Sequence, residues 1–255
     1  MSALADGETL IQNYLDSDDT QQMLNALKKL KIEYKIVEKK HILIKGCNHN
    51  FLNKNAKLSL GNAGTAFRPL TAVLAIMGGE YHLKGVTRMH ERPIKDLVDA
   101  LLQIGAKINY TNNTGYPPLK ISPGNIQCNK NIKIKGNISS QYLTALLIAG
   151  PLCNQNIKIQ IIGELISKPY VDMTLKLLAQ FGVKYKNNKW KNFTLSAPSS
   201  FKSPKKIQVE GDASSASYFF AAGAIAGSVE VSNINKSSIQ GDLEFLNVIK
   251  KMGAN

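Results

Sequence analysis

Gly61-Asn62-Ala63-Gly64-Thr65-Ala66-Phe67-Arg68-Pro69-Leu70 is the stretch from which the rest of the chain can be read, because its pattern recurs. GNAGT at 61–65 becomes GNISS at 136–140 and GDASS at 211–215, so Gly61, Gly136 and Gly211 stand 75 residues apart. Each copy runs into small and apolar residues: TAVLAIMGG (71–79), LTALLIAG (143–150) and YFFAAGAIAG (218–227). Glycine, then Asn or Asp, then Gly, Ser or Thr before an apolar run reads as a tight turn feeding a helix N-terminus. Such a terminus offers unpaired N–H donors and the positive end of the helix dipole, so the three turns are three potential anion seats. One copy alone would read equally well as an ordinary capped turn. Three at a constant period read as an internal repeat.

Between the glycine turns lies a second recurring unit, at 16–36, 92–110, 168–186 and 238–255. Ile94, Leu97, Val98, Leu101 and Leu102 follow the i, i+3, i+4, i+7, i+8 spacing of a helix packed on one face, and Met23, Leu24, Leu27 and Leu30 do the same. Gly105 and Gly182 sit where C-terminal caps are expected. Short β-like runs flank these helices: HILIKG (41–46), YHLKGV (81–86), AKINY (106–110), PLKIS (118–122), NIKIQIIG (156–163), VKYK (183–186) and SVEVSNI (228–234). The fold class is therefore α/β, built from repeated units of about 75 residues. Aligned on the repeat, MSALADGETLIQNYL enters at the end of an apolar helix, and the final GAN stops where a strand follows GAK and GVK. Both termini are expected to fall inside structural units, as in a piece of a longer protein lacking both ends. A three-repeat domain with an incomplete first repeat is expected over 1–208, and the start of a second domain over 209–255.

The 255 residues, 44% apolar, can bury a core. The longest apolar run, around 219–229, is broken by Gly223 and Gly227, so no membrane partner is expected. MSALADGETL has neither the basic flank nor the apolar core of a signal peptide, and Cys47, Cys128 and Cys153 form no CxxC pair. A cytoplasmic, reducing location without a disulfide scaffold is the expectation. His41, His49, His82 and His90 show no metal-ligand spacing, so no metal is expected either. A net charge of +14 raises a nucleic-acid partner, but it is spread along Lys-, Asn- and Ile-rich segments without an aromatic RNA-binding signature. No nucleic-acid partner is expected, and a basic RNA-binding repeat module stays as the alternative from another class. The chain carries 29 lysines but three arginines, Arg68, Arg88 and Arg92, all in and just after the first glycine turn. A guanidinium grips carboxylate or phosphate as a planar fork, which lysine cannot do.

Four groups could meet a ligand. They are Asn62, Gly64, Thr65 and Arg68; Arg88 and Arg92; Ser139, Ser140 and Gln141; and Ser167, Lys168 and Tyr170, one repeat beyond Glu91, Arg92 and Ile94. No Ser-His-Asp, Cys-His or P-loop arrangement is present. DSDD at 16–19 reads as an acidic first helical turn rather than a metal or acid–base cluster.

LGNAGTAFRPL (60–70), RMHERPI (88–94), SSQYLTALL (139–147), SKPYVDMTL (167–175) and VEGDASSASYF (209–219) closely resemble the EPSP synthase (3-phosphoshikimate 1-carboxyvinyltransferase) family, over essentially the whole chain. The resemblance implies a two-domain enolpyruvyl-transferase architecture, each domain built from three inverted α/β units, with the second domain only begun here. It implies transfer of the enolpyruvyl group of phosphoenolpyruvate to the 5-hydroxyl of shikimate 3-phosphate, with release of phosphate, by a monomer needing no cofactor. Gly64 and Arg92 would contact phosphoenolpyruvate, with Asn62 and Thr65 lining the same pocket. Ser139, Ser140 and Ser167 would hold the phosphate of shikimate 3-phosphate, Gln141 would lie between the substrates, and Tyr170 would seat the ring. Arg68 is expected to support the loop rather than the ligand. The family's acid–base carboxylate would follow residue 255, so no catalytic residue is expected within the chain, which should bind weakly without turning over. His90 stands where a basic residue is common, and GNI replaces a Gly-Ser lead into the second turn. UDP-N-acetylglucosamine enolpyruvyl transferase is the nearest rival, and the paired serines before Gln141 together with SKPY favour the shikimate acceptor.

Overall fold

The computed structural model describes residues 1–197, 201–235 and 238–254, and the chain divides into two units, Met1–Ile207 and Gln208–Asn255. Within the first unit three four-stranded sheets repeat one plan. The first group holds β1 (Glu8–Gln12), α1 (Asp18–Lys29), β2 (Tyr34–Glu38) and β3 (His41–Lys45). The second is β4 (Asn55–Ser59), α2 (Gly64–Met77), β5 (Glu80–Lys84), α3 (Thr87–His90), α4 (Lys95–Leu102), β6 (Lys107–Tyr110) and β7 (Leu119–Ser122). The third is β8 (Asn131–Lys135), α5 (Ser140–Ala149), β9 (Ile157–Ile162), α6 (Lys168–Gln180), β10 (Tyr185–Asn188) and β11 (Asn192–Leu195). A short strand, β12 (Lys206–Gln208), follows, and then α7 (Ala213–Ala226) and α8 (Glu244–Lys251).

The sheet orders β4-β5-β7-β6, β8-β9-β11-β10 and β12-β1-β3-β2 superimpose position by position. β4 pairs with β5 in parallel from Asn55↔Glu80 to Ser59↔Lys84, and β8 with β9 from Asn131↔Lys158 to Lys135↔Ile162. A parallel pair needs a crossover, and the helices after the glycine turns, α2 and α5, supply it. The pairs β1–β3, β2–β3, β5–β7, β6–β7, β9–β11 and β10–β11 are antiparallel. In the first sheet the place beside β1 is taken by β12, distant in sequence, with Leu10 N–H donating to the Lys205 carbonyl at 2.8 Å.

Each sheet turns one face to helices and the other to water. Tyr81 and Leu83, Ile132 and Ile134, and Ile157 and Ile159 are buried, while Lys84, Lys133, Lys135 and Lys158 between them are exposed. Much of the dispersed lysine charge is thereby accounted for. α2 and α5, apolar all round, pack on each other in the interior, and the amphipathic α1, α4 and α6 lie outside them. Phe67 and Leu74 on α2 are fully enclosed, and truncating either to alanine would cost about 2–5 kcal/mol. α4 and α6 end as expected at Gly105 and Gly182, whose φ of 90° and 77° suits a residue without Cβ.

Two expectations are corrected here. SVEVSNI (228–234) is not a strand: alternation supplies a face, but a strand also needs a neighbouring backbone, and only single contacts form, such as Gly211 N–H to the Asn233 carbonyl. Cys128 and Cys153, expected to be free, are joined in a disulfide, because the loop before β8 and the turn after α5 bring their Cα atoms to 6.0 Å. Cys47 is free. In the second unit, taken by itself, α7 buries Ala213 and Ala216 and leaves Tyr218, Phe219 and Ile225 exposed. Asn255, on which the fourth amphipathic unit ends, lies outside the described residues. No helix among the described residues is long and apolar enough to cross a membrane.

Candidate functional site

Three helices of the first unit open onto one cavity of about 860 Å³, lined by Gly64, Thr65, Arg68, Arg92, Ser139, Ser140, Gln141, Ser167 and Tyr170 with apolar residues beneath. Its size is that of a small-molecule site. α2 contributes its first residues, α5 its N-cap and first turn, and α6 its N-cap, so three positive dipole ends share one space. Eight of the nine residues expected from sequence line this wall. Asn62 does not, and acts from behind: its backbone carbonyl accepts from Arg92 Nη1 at 2.8 Å, and its side-chain oxygen lies 3.5 Å from the same nitrogen.

The turns differ in how they are capped. Ser139 caps α5, its hydroxyl accepting from Gln141 N–H at 3.3 Å. α2 starts after Ala63 with no side-chain cap, because an alanine at the N-cap has no acceptor to offer. Thr65 directs its hydroxyl to Asp19 at 2.6 Å, fastening the turn to the acidic start of α1, where Ser17 accepts from Thr20 N–H. Ser167 enters α6 in the left-handed region at φ 55°, a conformation that non-glycine residues adopt sparingly and that clusters at ligand sites. Thr144 and Thr174 bond hydroxyl to hydroxyl at 3.1 Å across α5 and α6, fixing the two helix starts against each other.

The third glycine turn corrects the expectation of three potential anion seats. Asp212 caps α7 and accepts from the N–H groups of Ser214 and Ser215 at 3.3 and 3.1 Å, so this terminus is filled by its own carboxylate. Donation from the Ser215 hydroxyl, then from these N–H groups, holds the Asp212 carboxyl below its ordinary value.

Two of the three arginines converge on the cavity. Arg88 turns outward and pairs with Glu91 at 2.6 Å. Arg92 and Arg68 both reach Gly64, where a Cβ would fall on the ends of both guanidinium groups. Arg68 is only 6% exposed, and its Nε and Nη1 have no hydrogen-bond partner among the described residues. Its Cζ lies 5.7 Å from the centre of the Tyr142 ring, whose hydroxyl donates to the Pro93 carbonyl at 2.5 Å. Burial pulls the Arg68 guanidinium below its ordinary pKa, with repulsion from Arg92 adding to the shift and Tyr142 opposing it. No carboxylate lines the cavity among the described residues. Sequence reasoning assigned Arg68 to loop support and passed over Tyr142. The scarcity of arginine was the available signal for the first, and nothing local marked the second.

By fold and site, this is a repeat-built α/β protein whose first unit gathers helix N-termini and guanidinium groups around one small cavity. The sequence pattern of the EPSP synthase (3-phosphoshikimate 1-carboxyvinyltransferase) family matches residues 1–255, and the chain belongs to that family. Relatives named 3-phosphoshikimate 1-carboxyvinyltransferase include one from Cupriavidus necator, 51% identical over 259 aligned positions, and one from Herminiimonas arsenicoxydans, 52% identical over 258. Both alignments cover 100% of this chain, but 59% and 58% of the respective relatives. The chain thus spans less than two thirds of their length. An EPSP synthase structure from Acinetobacter baumannii shares the fold, with a TM-score of 0.82 at 24% identity, covering 100% of this chain and 56% of that one.

Proposed function

We propose that this chain carries the acceptor-holding part of a 3-phosphoshikimate 1-carboxyvinyltransferase, which moves the enolpyruvyl group of phosphoenolpyruvate onto the 5-hydroxyl of shikimate 3-phosphate and releases phosphate. The observation that carries the reading is the cavity itself: two guanidinium groups, three helix starts and no carboxylate suit two small phosphorylated ligands side by side. Ser139, Ser140 and Ser167 hold the phosphate of the acceptor, and Tyr170 flanks its ring. Gly64 and Arg92 hold phosphoenolpyruvate, Gln141 lies between the two, and Asn62 and Thr65 brace the turn. Seating both ligands turns a bimolecular addition into an oriented one.

The addition also needs an acid to protonate the methylene carbon and a base to take the hydroxyl proton. The described cavity wall offers no carboxylate for either task, so the 255-residue chain is expected to bind shikimate 3-phosphate without turnover. We place the protein in the cytoplasm as a monomer. Calorimetry with shikimate 3-phosphate and with UDP-N-acetylglucosamine tests the assignment. Heat with the former that Ser139→Ala abolishes is expected, and preference for the nucleotide sugar would overturn it, as would robust phosphate release by this chain supplied with both substrates.

A further inference from the structure

We infer that the outer face of the second sheet carries an anion site separate from the cavity at the helix starts, and that its ligand is a short phosphate chain such as a triphosphate. The inference goes beyond the proposed function and does not rest on it.

A recess of about 770 Å³ lies over β4, β5 and β7, lined by Lys57, His82, Lys84, Lys120 and Glu80, and joined by Lys29 from the end of α1. Strand register sets the spacing of its charges. Lys57 pairs with His82 across the parallel ladder and His82 with Lys120 across the antiparallel one, so the three form a row on one face. Neighbouring strands lie about 4.8 Å apart, which puts the backbones of Lys57 and Lys120 about 10 Å apart with His82 between them. Lys84 follows two residues along β5, on the same face and about 7 Å from His82. Lys29 Nζ donates to the Lys57 carbonyl at 3.0 Å, which holds a fourth ammonium group beside the row.

Exposed lysines are ordinary in themselves, and Lys133, Lys158 and Lys186 on the third sheet are exposed too. The second sheet adds a concave surface and a missing counter-charge. Lys45 of the first sheet pairs with Glu33 at 3.1 Å and Lys135 of the third with Asp96 at 3.7 Å. Lys57, Lys84 and Lys120 have no ion-pair partner among the described residues. Glu80, the one carboxylate lining the recess among the described residues, accepts from the Ser122 hydroxyl at 3.1 Å instead. A recess walled by one sign of charge focuses its field outward and concentrates counter-ions. Ammonium groups on flexible stems act as point charges, which suits phosphate oxygens and gives no planar two-point grip on a carboxylate. Cations spread over about 10 Å suit several linked phosphates better than a single one. No open Phe, Tyr or Trp face is offered to a nucleobase, since Tyr81, which lines the recess, is 1% exposed. The phosphate chain itself is therefore the part recognised.

The test uses the full chain and sodium tripolyphosphate without divalent metal. Calorimetry gives affinity for the wild type, for the triple variant Lys57→Gln, Lys84→Gln, Lys120→Gln, and for a control that removes equal charge, Lys133→Gln, Lys158→Gln, Lys186→Gln. All six positions are exposed, so both variants are expected to fold. The first variant should bind about tenfold or more weakly, and the control within about threefold of the wild type. Binding should fall steeply from about 0.01 M to 0.15 M salt, as the screening length shrinks from about 30 to 8 Å. Amide NMR shifts on titration should appear at Lys57, His82, Lys84 and Lys120, separately from any at Gly64 and Ser140. Metal-free ATP should bind within a few-fold of tripolyphosphate. Equal losses in the two variants would reduce the effect to net charge and overturn the inference. Shifts confined to Gly64 and Ser140, ATP binding more than about tenfold tighter than tripolyphosphate, or no heat with the wild type would overturn it as well. None of these results bears on shikimate 3-phosphate binding at Ser139, which stands or falls by its own measurement.

Discussion

Adding one methyl group at Gly64 should separate stability from anion binding. Gly64 is the first residue of α2, buried, and has no positive φ that would strain an alanine. Alanine is favoured over glycine in helices by about 0.5–1 kcal/mol, and by less in the first turn. Against this, the new Cβ meets the guanidinium ends of Arg68 and Arg92. These are the tips of long side chains and can swing aside. Swinging Arg92 endangers its 2.8 Å bond to the Asn62 carbonyl, which is partly open to water and worth about 1 kcal/mol. The two effects nearly cancel, so Gly64→Ala should unfold within about 1 kcal/mol of the wild type. The anion seat has no such compensation. Each charge-assisted bond from a guanidinium to a phosphate oxygen is worth about 1.5–3 kcal/mol, so misplacing one fork lowers affinity roughly tenfold to a hundredfold. Chemical denaturation gives the first quantity and isothermal calorimetry with inorganic phosphate the second. A folded Gly64→Ala that binds phosphate as tightly as the wild type would refute the placement of both arginines. A variant several kcal/mol less stable would refute the idea that only side-chain tips are displaced.

Three further outcomes are expected. Tyr142→Phe removes the hydroxyl that donates to the Pro93 carbonyl and should cost about 1 kcal/mol in urea denaturation, the net worth of a part-buried hydrogen bond; an unchanged midpoint would show that the bond carries no stability. The Asp212 carboxyl, depressed in the folded chain, stabilises the start of α7 above its ordinary pKa of 3.8, and that contribution fades as pH falls through the lower folded value. NMR titration of Asp212 should therefore show a midpoint below 3.8, and one at or above it would contradict the cap. Mass spectrometry after alkylation should find Cys47 alone modified in the oxidised protein, and reducing the Cys128–Cys153 bridge, 25 residues apart, should lower stability by about 3–4 kcal/mol if loop entropy dominates.

The residues most legible in the sequence were those whose meaning is local. Gly61, Gly136 and Gly211 announced the repeat because turn chemistry is written in adjacent positions, and the stripe from Ile94 to Leu101 announced α4 because packing on one face needs only a period, although Leu102, read as part of it, is exposed. The serines at 139, 140 and 167 were found through short motifs, and the structure brings them to one wall. What depends on distant partners was hidden. SVEVSNI has the alternation of a strand but no backbone to pair with. β12 is only three residues long, too short for a pattern, and is a strand because β1 lies beside it. Asn62 looked like a cap by position and instead holds Arg92, a contact between residues 30 apart. Arg68 could be singled out by its rarity, but its enclosure against Tyr142 follows from the packing of α2 on α5, which no window of sequence contains.

The borrowed strand β12 also sets an order of assembly. The second and third sheets are complete once residue 195 has left the ribosome, each from a contiguous run of chain. β1 is made long before its outer neighbour, and that edge is covered only when the segment around Lys205 arrives, with Thr9 meeting Ser203 hydroxyl to hydroxyl at 2.8 Å and Asp6 N–H reaching the Phe201 carbonyl at 2.7 Å. A sheet begun early thus waits on a much later segment, and its unpaired rim is where a nascent chain is exposed to mispairing.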